Sequence, residues 1–289
     1  MVKRVLVTGG RGMLGTAIAR RFPREEVELR LVDLPEFDVT DREAVREEIA
    51  DFRADLVIHC AAMTNVDACE TDRERAVAVN AVATGEIARE CAAGRTPMIC
   101  LSTDFVFDGE KREPYTEDDA PHPVSVYGQT KLEGEIHTRE CLAEHTIVRT
   151  AWTFAPWGHN FVRSILRNAR GKRELRVVDD QVGSPTYAPD LAEGLWRLIV
   201  AGARGTYHMT NAGIVSRYEF AREILALAGM TEVRVIPIKS VELDQPARRP
   251  AFSALTSVRL AAIGVEPLRH YREALAECIA EIKGAEGEA

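Results

Sequence analysis

Tyr127 and Lys131 stand four residues apart in Tyr127-Gly128-Gln129-Thr130-Lys131, so on a helix the phenol and the ammonium project from one face. A free phenol has a pKa of about 10. Proton exchange at neutral pH therefore calls for a neighbouring cation that favours the phenolate, and Lys131 supplies one. Such a pair alone is common on ordinary helix surfaces. A second group gives it a use: in Leu101-Ser102-Thr103-Asp104 a hydroxyl pair follows an apolar run. Thr103 can there hydrogen-bond a carbonyl oxygen that Tyr127 also faces, polarising it for hydride attack. Read singly, Ser102 or Thr103 is as readily a cap or turn bond; read with Tyr127 and Lys131, Thr103 completes a proton-transfer site.

A hydride needs a carrier, and the N-terminal residues offer a seat for a dinucleotide. Thr8-Gly9-Gly10-Arg11-Gly12-Met13-Leu14-Gly15 spaces Gly9, Gly12 and Gly15 by three between a strand-like run and a helical stretch. Gly9 permits the tight turn, Gly12 lets a pyrophosphate approach the backbone, Gly15 allows close helix packing, and the helix start offers amide donors. Lys131 can then also hold the nicotinamide ribose. Asp33 lies 18 residues past Gly15 at the end of the next apolar run, where an acid bonds the adenosine ribose hydroxyls and favours NADH. Arg11, in the turn itself, can instead neutralise the 2′-phosphate of NADPH, so NADH and NADPH both stay open. Asp38 and Val39 can border the adenine, although an acid in this place is as readily a helix cap.

The elements that must position these groups alternate along the first half. Apolar runs at 5–7, 29–32, 56–58 and 98–101 are separated by helical stretches at 13–22, 41–52 and 72–91. Uninterrupted apolar strands between helices predict a doubly wound parallel α/β sheet of the Rossmann type, with ligands at the carboxyl ends of the strands. Thr40 or Asp41 caps the 41–52 helix, and Glu43, Glu47 and Glu48 fall on its solvated side. After Val148-Arg149-Thr150 the alternation breaks down. Residues 1–150 are therefore expected to form the dinucleotide-binding domain and 151–289 mainly a smaller substrate-binding region. Helical spacing at 191–200, 220–228 and 275–282, and a helix at about 187–203, suggest elements that pack back on the sheet. The tail 284–289 has almost nothing apolar to bury and is expected to fray.

A chain of 289 residues with 46% hydrophobic content can build a proper core. With 37 Lys and Arg against 45 Asp and Glu, the net charge of -8 withholds the electrostatic drive for nucleic acid or anionic lipid. No run reaches the roughly 18 apolar residues of a membrane span, and the chain enters Val5-Leu6-Val7 without a signal-like region, so a cytoplasmic protein is expected. Six cysteines, Cys60, Cys69, Cys91, Cys100, Cys141 and Cys278, form no CxxC pair and read as free, mostly buried thiols. His59, His208 and the other histidines form no ligand cluster, so no catalytic metal is expected.

Longer segments extend these pieces: TGGRGMLG at 8–15, CAAMTNVDACE at 60–70, LSTDFVFDG at 101–109, VYGQTKLEGE at 126–135, RTAW at 149–152, DDQVGSPT at 179–186 and PARRPAFSAL at 246–255. Together they resemble the extended short-chain dehydrogenase/reductases, in which the GxxGxxG turn is familiar, and more closely their branch that acts in dTDP-rhamnose synthesis. The likeness covers nearly the whole chain. It implies reduction of the 4-keto group of dTDP-4-dehydro-L-rhamnose, a dTDP-linked 6-deoxy-4-ketohexose, to dTDP-L-rhamnose by NADPH or NADH. Tyr127 is then the proton donor, Lys131 its partner and ribose ligand, and Thr103 the tuning hydroxyl. Gly12, Met13, Leu14, Asp33, Asp38, Val39, Ala62, Met63 and Thr64 would line the dinucleotide, and Thr103, Asp104 and Trp152 would contact the nucleotide-sugar.

Some implied positions have a second physical reading. Trp152 can stack on a ligand or serve as core. Arg248 and Arg249 can clamp a pyrophosphate, which the resemblance favours, or stay on the surface. Asn160-Phe161 and Asp180-Gln181 can reach sugar hydroxyls or order loops. Three positions depart from the family pattern: Phe105 stands where tyrosine is common, Met63 where histidine is frequent, and Ala17 where some members carry a glutamate tied to a metal-dependent dimer. That dimer is not expected here, and the oligomeric state, a homodimer included, stays open. Two rivals keep the same motifs: a noncatalytic dinucleotide-binding regulator like the methionine adenosyltransferase beta subunit, and a nucleotide-sugar epimerase or dehydratase. Dehydratases of this group typically place Asp-Glu after the strand-end threonine, where this chain has Asp104-Phe105.

Overall fold

A computed structural model describes residues 2–287. The N-terminal half alternates β1 (Arg4–Thr8), α1 (Met13–Arg21), β2 (Glu28–Val32), α2 (Arg42–Phe52) and β3 (Leu56–His59). Next come α3 (Val66–Thr71), α4 (Arg73–Val77), a π-helical turn (Ala78–Val82), α5 (Ala83–Gly94), β4 (Met98–Thr103), α6 (Val126–Cys141) and β5 (His145–Thr150). Beyond it lie β6 (Thr153–Phe154), α7 (Phe161–Ala169), β7 (Glu174–Val178), β8 (Val182–Gly183), β9 (Thr186–Tyr187), α8 (Ala188–Val200) and β10 (Gly205–His208). The chain closes with β11 (Asn211–Ala212), β12 (Val215–Ser216), α9 (Arg217–Ala228), β13 (Arg234–Ile238), β14 (Leu268–His270) and α10 (Tyr271–Gly287).

Six strands form one parallel sheet in the order β10-β5-β4-β3-β1-β2. Both faces are covered because successive side chains of each strand point oppositely. Val5, Val7, Ile58 and Leu101 bury against Ala17 and Ile18 of α1 and Leu191, Leu195 and Leu198 of α8. Leu6, Val57, Cys100 and Ile147 bury against Val45 and Ile49 of α2 and Ile87 and Cys91 of α5. The doubly wound α/β sheet expected from the alternating runs is the observed architecture. Because β1 lies between β2 and β3, the chain reverses direction across the sheet there, and the carboxyl ends of β1, β3 and β4 open onto one crevice. A second core joins α7, α9 and α10 to the β7–β13 pair through Ile165, Phe220, Ile224, Leu275 and Ile279.

Three local expectations change. The 72–91 stretch is not one uniform helix: α4 passes through the π-helical turn into α5. That turn aims Asn80, which accepts from the Met63 amide at 2.8 Å and donates to Thr130 Oγ1 at 3.2 Å, tying the loop after β3 to α6. The edge strand β10 has only four residues, Gly205-Thr206-Tyr207-His208, too short and too polar to read as an apolar run. Helix α10 carries the expected tail as far as Gly287, and the last two residues lie outside those described. Of the two proposed caps, Asp41 takes the role, accepting from Glu43 N and Ala44 N. No helix among the described residues is long and apolar enough to cross a membrane.

Candidate active site

At the carboxyl edge of the sheet lies a cleft of about 1090 Å³. Thr103, Asp104, Tyr127, Lys131, Trp152 and Arg249 line it, with Gly9, Gly15 and each residue that the resemblance places along the dinucleotide from Gly12 to Thr64. Its first half is the glycine turn. Gly9 has φ +71°, and a Cβ there would stand 2.7 Å from the Ala61 amide; one at Gly15 would stand 2.6 Å from Gly10 Cα. Gly12 is the N-cap of α1 and no side chain caps it, so the amides of its first turn face the cleft without an intrahelical partner. An uncapped helix start behind a cradle that any side chain would fill fits a pyrophosphate. Asp33 accepts from Arg11 N and Leu34 N, both at 2.8 Å. The Arg11 guanidinium pairs with Glu36 at 2.7 Å on the exposed surface, and Asp38 is held by the Thr40 amide and hydroxyl.

Helix α6 delivers the candidate pair Tyr127 and Lys131. Ser125 caps it, accepting from Gly128 N, which starts the helix at Val126, one residue before Tyr127. Lys131 is buried, and its Nζ donates to the Leu101 carbonyl at 2.8 Å. The Tyr127 ring meets Phe105 edge-on at 5.5 Å. Burial raises the Tyr127 phenol above its ordinary value; the Thr103 hydroxyl pulls it down, and Asp104 and Cys69 add to the rise. Lys131, the cation expected to favour the phenolate, does not offset this burial. The ammonium is spent partly on a carbonyl, desolvation dominates, and the phenol stays protonated, which is the form a proton donor requires.

Thr103 ends β4 and donates to Asp104 Oδ1 at 3.0 Å while accepting from Phe105 N at 3.2 Å. Asp104 is 2% exposed, and its Oδ2 has no hydrogen-bond partner among the described residues. Burial lifts its carboxyl from 3.8 to about 6, against the hydroxyls of Ser253 and Thr103 and the charge of Arg217. Between those values the folded chain keeps a proton that the unfolded chain has released, so stability falls as pH rises from about 4 through about 6 and stays reduced above. Asp104→Asn keeps an oxygen for Thr103 and removes the buried charge. It should therefore unfold a few degrees higher than wild type at pH 7.5, on the order of 2–3 kcal/mol, with the gap closing by pH 4. Equal melting temperatures at pH 7.5 in a calorimetric scan would show that Asp104 is already compensated.

Trp152 follows β5 with φ +47°, a left-handed conformation unusual for a bulky residue and a local strain of about 1–3 kcal/mol. Contacts around the indole hold it in that conformation. The Arg217 guanidinium lies 3.5 Å from the ring centroid, and a Cβ on Gly183 would come 2.6 Å from the ring. Trp152 meets its core reading by packing against the second core; it also lines the cleft, with Arg217 over one ring face. Arg249 also lines the cleft, but its fork is taken by Asp67 at 2.7 and 3.1 Å; Arg248 is not in the cleft wall. Asn160 caps α7 and donates to Ala155 O, and Asp180 accepts from Ser240, so both order loops. Gln181 does reach the cleft.

Sequence reasoning passed over Arg217. The Ser216–Glu219 capping box that starts α9 is a legible signal for a helix beginning at 217, but nothing local says which surface that start faces. The guanidinium is half-buried, and burial with the like charge of Arg249 lowers it to about 9, Asp104 acting in the opposite sense. The two singled-out histidines are structural: His59 bonds Thr8 and Thr84 within the core, and His208 bonds the Tyr115 and Thr256 carbonyls through Nδ1. Burial lowers them to about 3 and about 4.

A profile of the RmlD substrate binding domain matches residues 3–283. A curated protein, the dTDP-4-dehydrorhamnose reductase of Mycolicibacterium smegmatis, is 40% identical over 288 residues, spanning 99% of this chain and 88% of its own. Among solved structures, a dTDP-4-dehydrorhamnose reductase of Clostridium acetobutylicum has a TM-score of 0.94 at 38% identity, covering 97% of this chain and 99% of the other. The dTDP-4-dehydrorhamnose reductase of Bacillus anthracis, solved in complex with NADP, has a TM-score of 0.94 at 34% identity, covering 97% and 100%.

Proposed function

The chain belongs to the RmlD substrate binding domain family, and from that premise we propose that it reduces the 4-keto group of dTDP-4-dehydro-L-rhamnose, giving dTDP-L-rhamnose. It is an NAD(P)H-dependent oxidoreductase. The observation that carries the reading is that Thr103, Tyr127 and Lys131 share one cleft with an uncapped glycine-rich helix start. Gly9, Gly12 and the first-turn amides of Met13, Leu14 and Gly15 would hold the dinucleotide's pyrophosphate, with Asp33, Asp38 and Val39 at its adenosine end and Ala62, Met63 and Thr64 along its flank. A reduced nicotinamide, when bound, supplies the hydride.

The protein's own groups manage the oxygen and the proton. Tyr127 holds its proton at Oη and releases it to the ketone oxygen as that oxygen gains charge, so that ketone, hydride and proton together give a secondary alcohol. Thr103 orients the same oxygen. Lys131, anchored on Leu101 O with ammonium protons to spare, holds the ribose and lowers the cost of negative charge on Tyr127 as the proton leaves. Asp104 and Trp152 shape the sugar side. NADPH and NADH both suit this site: Asp33 favours ribose hydroxyls, while Arg11 is exposed and its pair with Glu36 is weak enough to yield to a 2′-phosphate.

Within this reading, residues 1–150 serve the dinucleotide and 151–289 mainly the sugar, while α8 and β10 return to the sheet. A cytoplasmic enzyme without nucleic-acid or membrane partners is part of the same proposal, supported by the net charge of -8. The test is absorbance at the reduced-nicotinamide band with purified protein, dTDP-4-keto-6-deoxyglucose plus its 3,5-epimerase, and NADPH or NADH. Oxidation that depends on the sugar is the expected result. Dinucleotide binding without oxidation would overturn the assignment in favour of a noncatalytic regulator.

A further inference from the structure

Two guanidinium groups line the substrate half of the cleft, Arg217 and Arg249, and they are not equivalent. Arg249 is neutralised by a two-bond fork to Asp67 and also donates to Ala247 O. Arg217 lies over Trp152 at 3.5 Å and near Phe161 at 4.7 Å, but among the described residues its side chain forms no hydrogen bond or ion pair. The charge that offsets it is Asp104, whose Oδ2 is itself unpartnered and which attracts Arg217 without a hydrogen bond or ion pair. A half-buried cation without a partner is costly unless an anion arrives. A sugar hydroxyl would satisfy a donor but leave the charge; a phosphate would satisfy both, and the guanidinium fork matches its oxygens. Stacking on two rings fixes the plane of that fork before any ligand binds, which reduces the ordering cost of binding.

We propose that Arg217 is the residue that binds the diphosphate of the nucleotide-sugar, Trp152 and Phe161 holding its guanidinium in place while Arg249 stays with Asp67. This rests on the nucleotide-sugar reading above. It assigns the anion contact to a position outside the paired arginines that the sequence suggested, and to a group whose unmet charge the free protein already carries.

The experiment compares dTDP and thymidine as competitive inhibitors of the full chain, wild type against Arg217→Gln and Arg217→Lys, with NADPH affinity measured alongside. Arg217→Gln is expected to weaken dTDP on the order of 10–100-fold, leave thymidine and NADPH within about twofold, and raise KM for the sugar substrate more than it lowers kcat. Arg217→Lys keeps the charge without the fork and should fall between; it also serves if the glutamine variant does not fold. Unchanged dTDP affinity in a variant that binds NADPH normally would overturn the assignment. So would equal losses for dTDP and thymidine, which would mean that Arg217 only packs Trp152. A wild-type protein that does not bind dTDP would instead defeat the nucleotide-sugar reading itself.

Discussion

Replacing Tyr127 by phenylalanine is expected to lower kcat by about 10²–10⁴-fold while leaving the NADPH dissociation constant and the melting temperature close to wild type. The substitution removes one hydroxyl and keeps the ring that packs edge-on against Phe105. Lys131 keeps its bond to Leu101 O, so the contact assigned to the dinucleotide survives. What is lost is the proton that burial keeps on the phenol, and water is a poor substitute because it must enter and be oriented in the same cleft. A loss confined to kcat and kcat/KM would mark an interaction made in the transition state. Turnover within a few-fold of wild type, measured at saturating NADPH, would remove Tyr127 as the donor.

The second large effect is on stability. Glu135 lies two turns beyond Tyr127 on α6 and is fully buried. Its Oε1 accepts from Ser102 Oγ at 2.6 Å and Arg149 Nε at 2.8 Å, and its Oε2 from Arg149 and Arg139, each at 2.7 Å. Burial alone would raise this carboxyl, but the Arg149 hydrogen bonds and charge outweigh it and hold it below its ordinary value. The stabilisation is therefore present above the unfolded value of about 4.5 and disappears as pH falls through the lower folded one. Glu135→Ala strands the buried Arg149 charge and should cost about 3–5 kcal/mol, read as a lower urea midpoint. Glu135→Gln, which keeps part of the hydrogen bonding, should cost less. Because Ser102 precedes Thr103 and Glu135 shares a helix with Tyr127, a folded variant should also lose activity. A midpoint unchanged in the alanine variant would mean that solvent reaches Arg149.

The contrast between Tyr127 and Glu135 shows where the sequence was readable. Tyr127 and Lys131 share one face because four residues of helix place them there whatever the rest of the chain does, and Thr103 gives that pair a use. The glycine turn is equally local, made of one strand end, one turn and one helix start. Glu135 continues the same helical face, yet its meaning depends on Arg149 of β5 and Ser102 of β4, partners that no spacing reveals.

The same division runs through the substrate side. Strand alternation and the order of apolar runs were enough for the doubly wound sheet, since uninterrupted apolar strands can be satisfied only between two helical layers. The edge strand β10 escaped because four mixed residues carry no periodic signal and are held by pairing with β5. The resemblance favoured Arg248 and Arg249 as an anion clamp, but the fold gives Arg249 to Asp67, 182 residues away, and brings Arg217 over Trp152 instead. Types and short spacings thus determined the fold class and pointed to the glycine turn and the candidate pair, because each carries its signal within one or two elements. Which charges are compensated, which proton is retained and which arginine is left for a ligand were decided only by tertiary packing, since desolvation and charge pairing depend on groups brought together from distant parts of the chain.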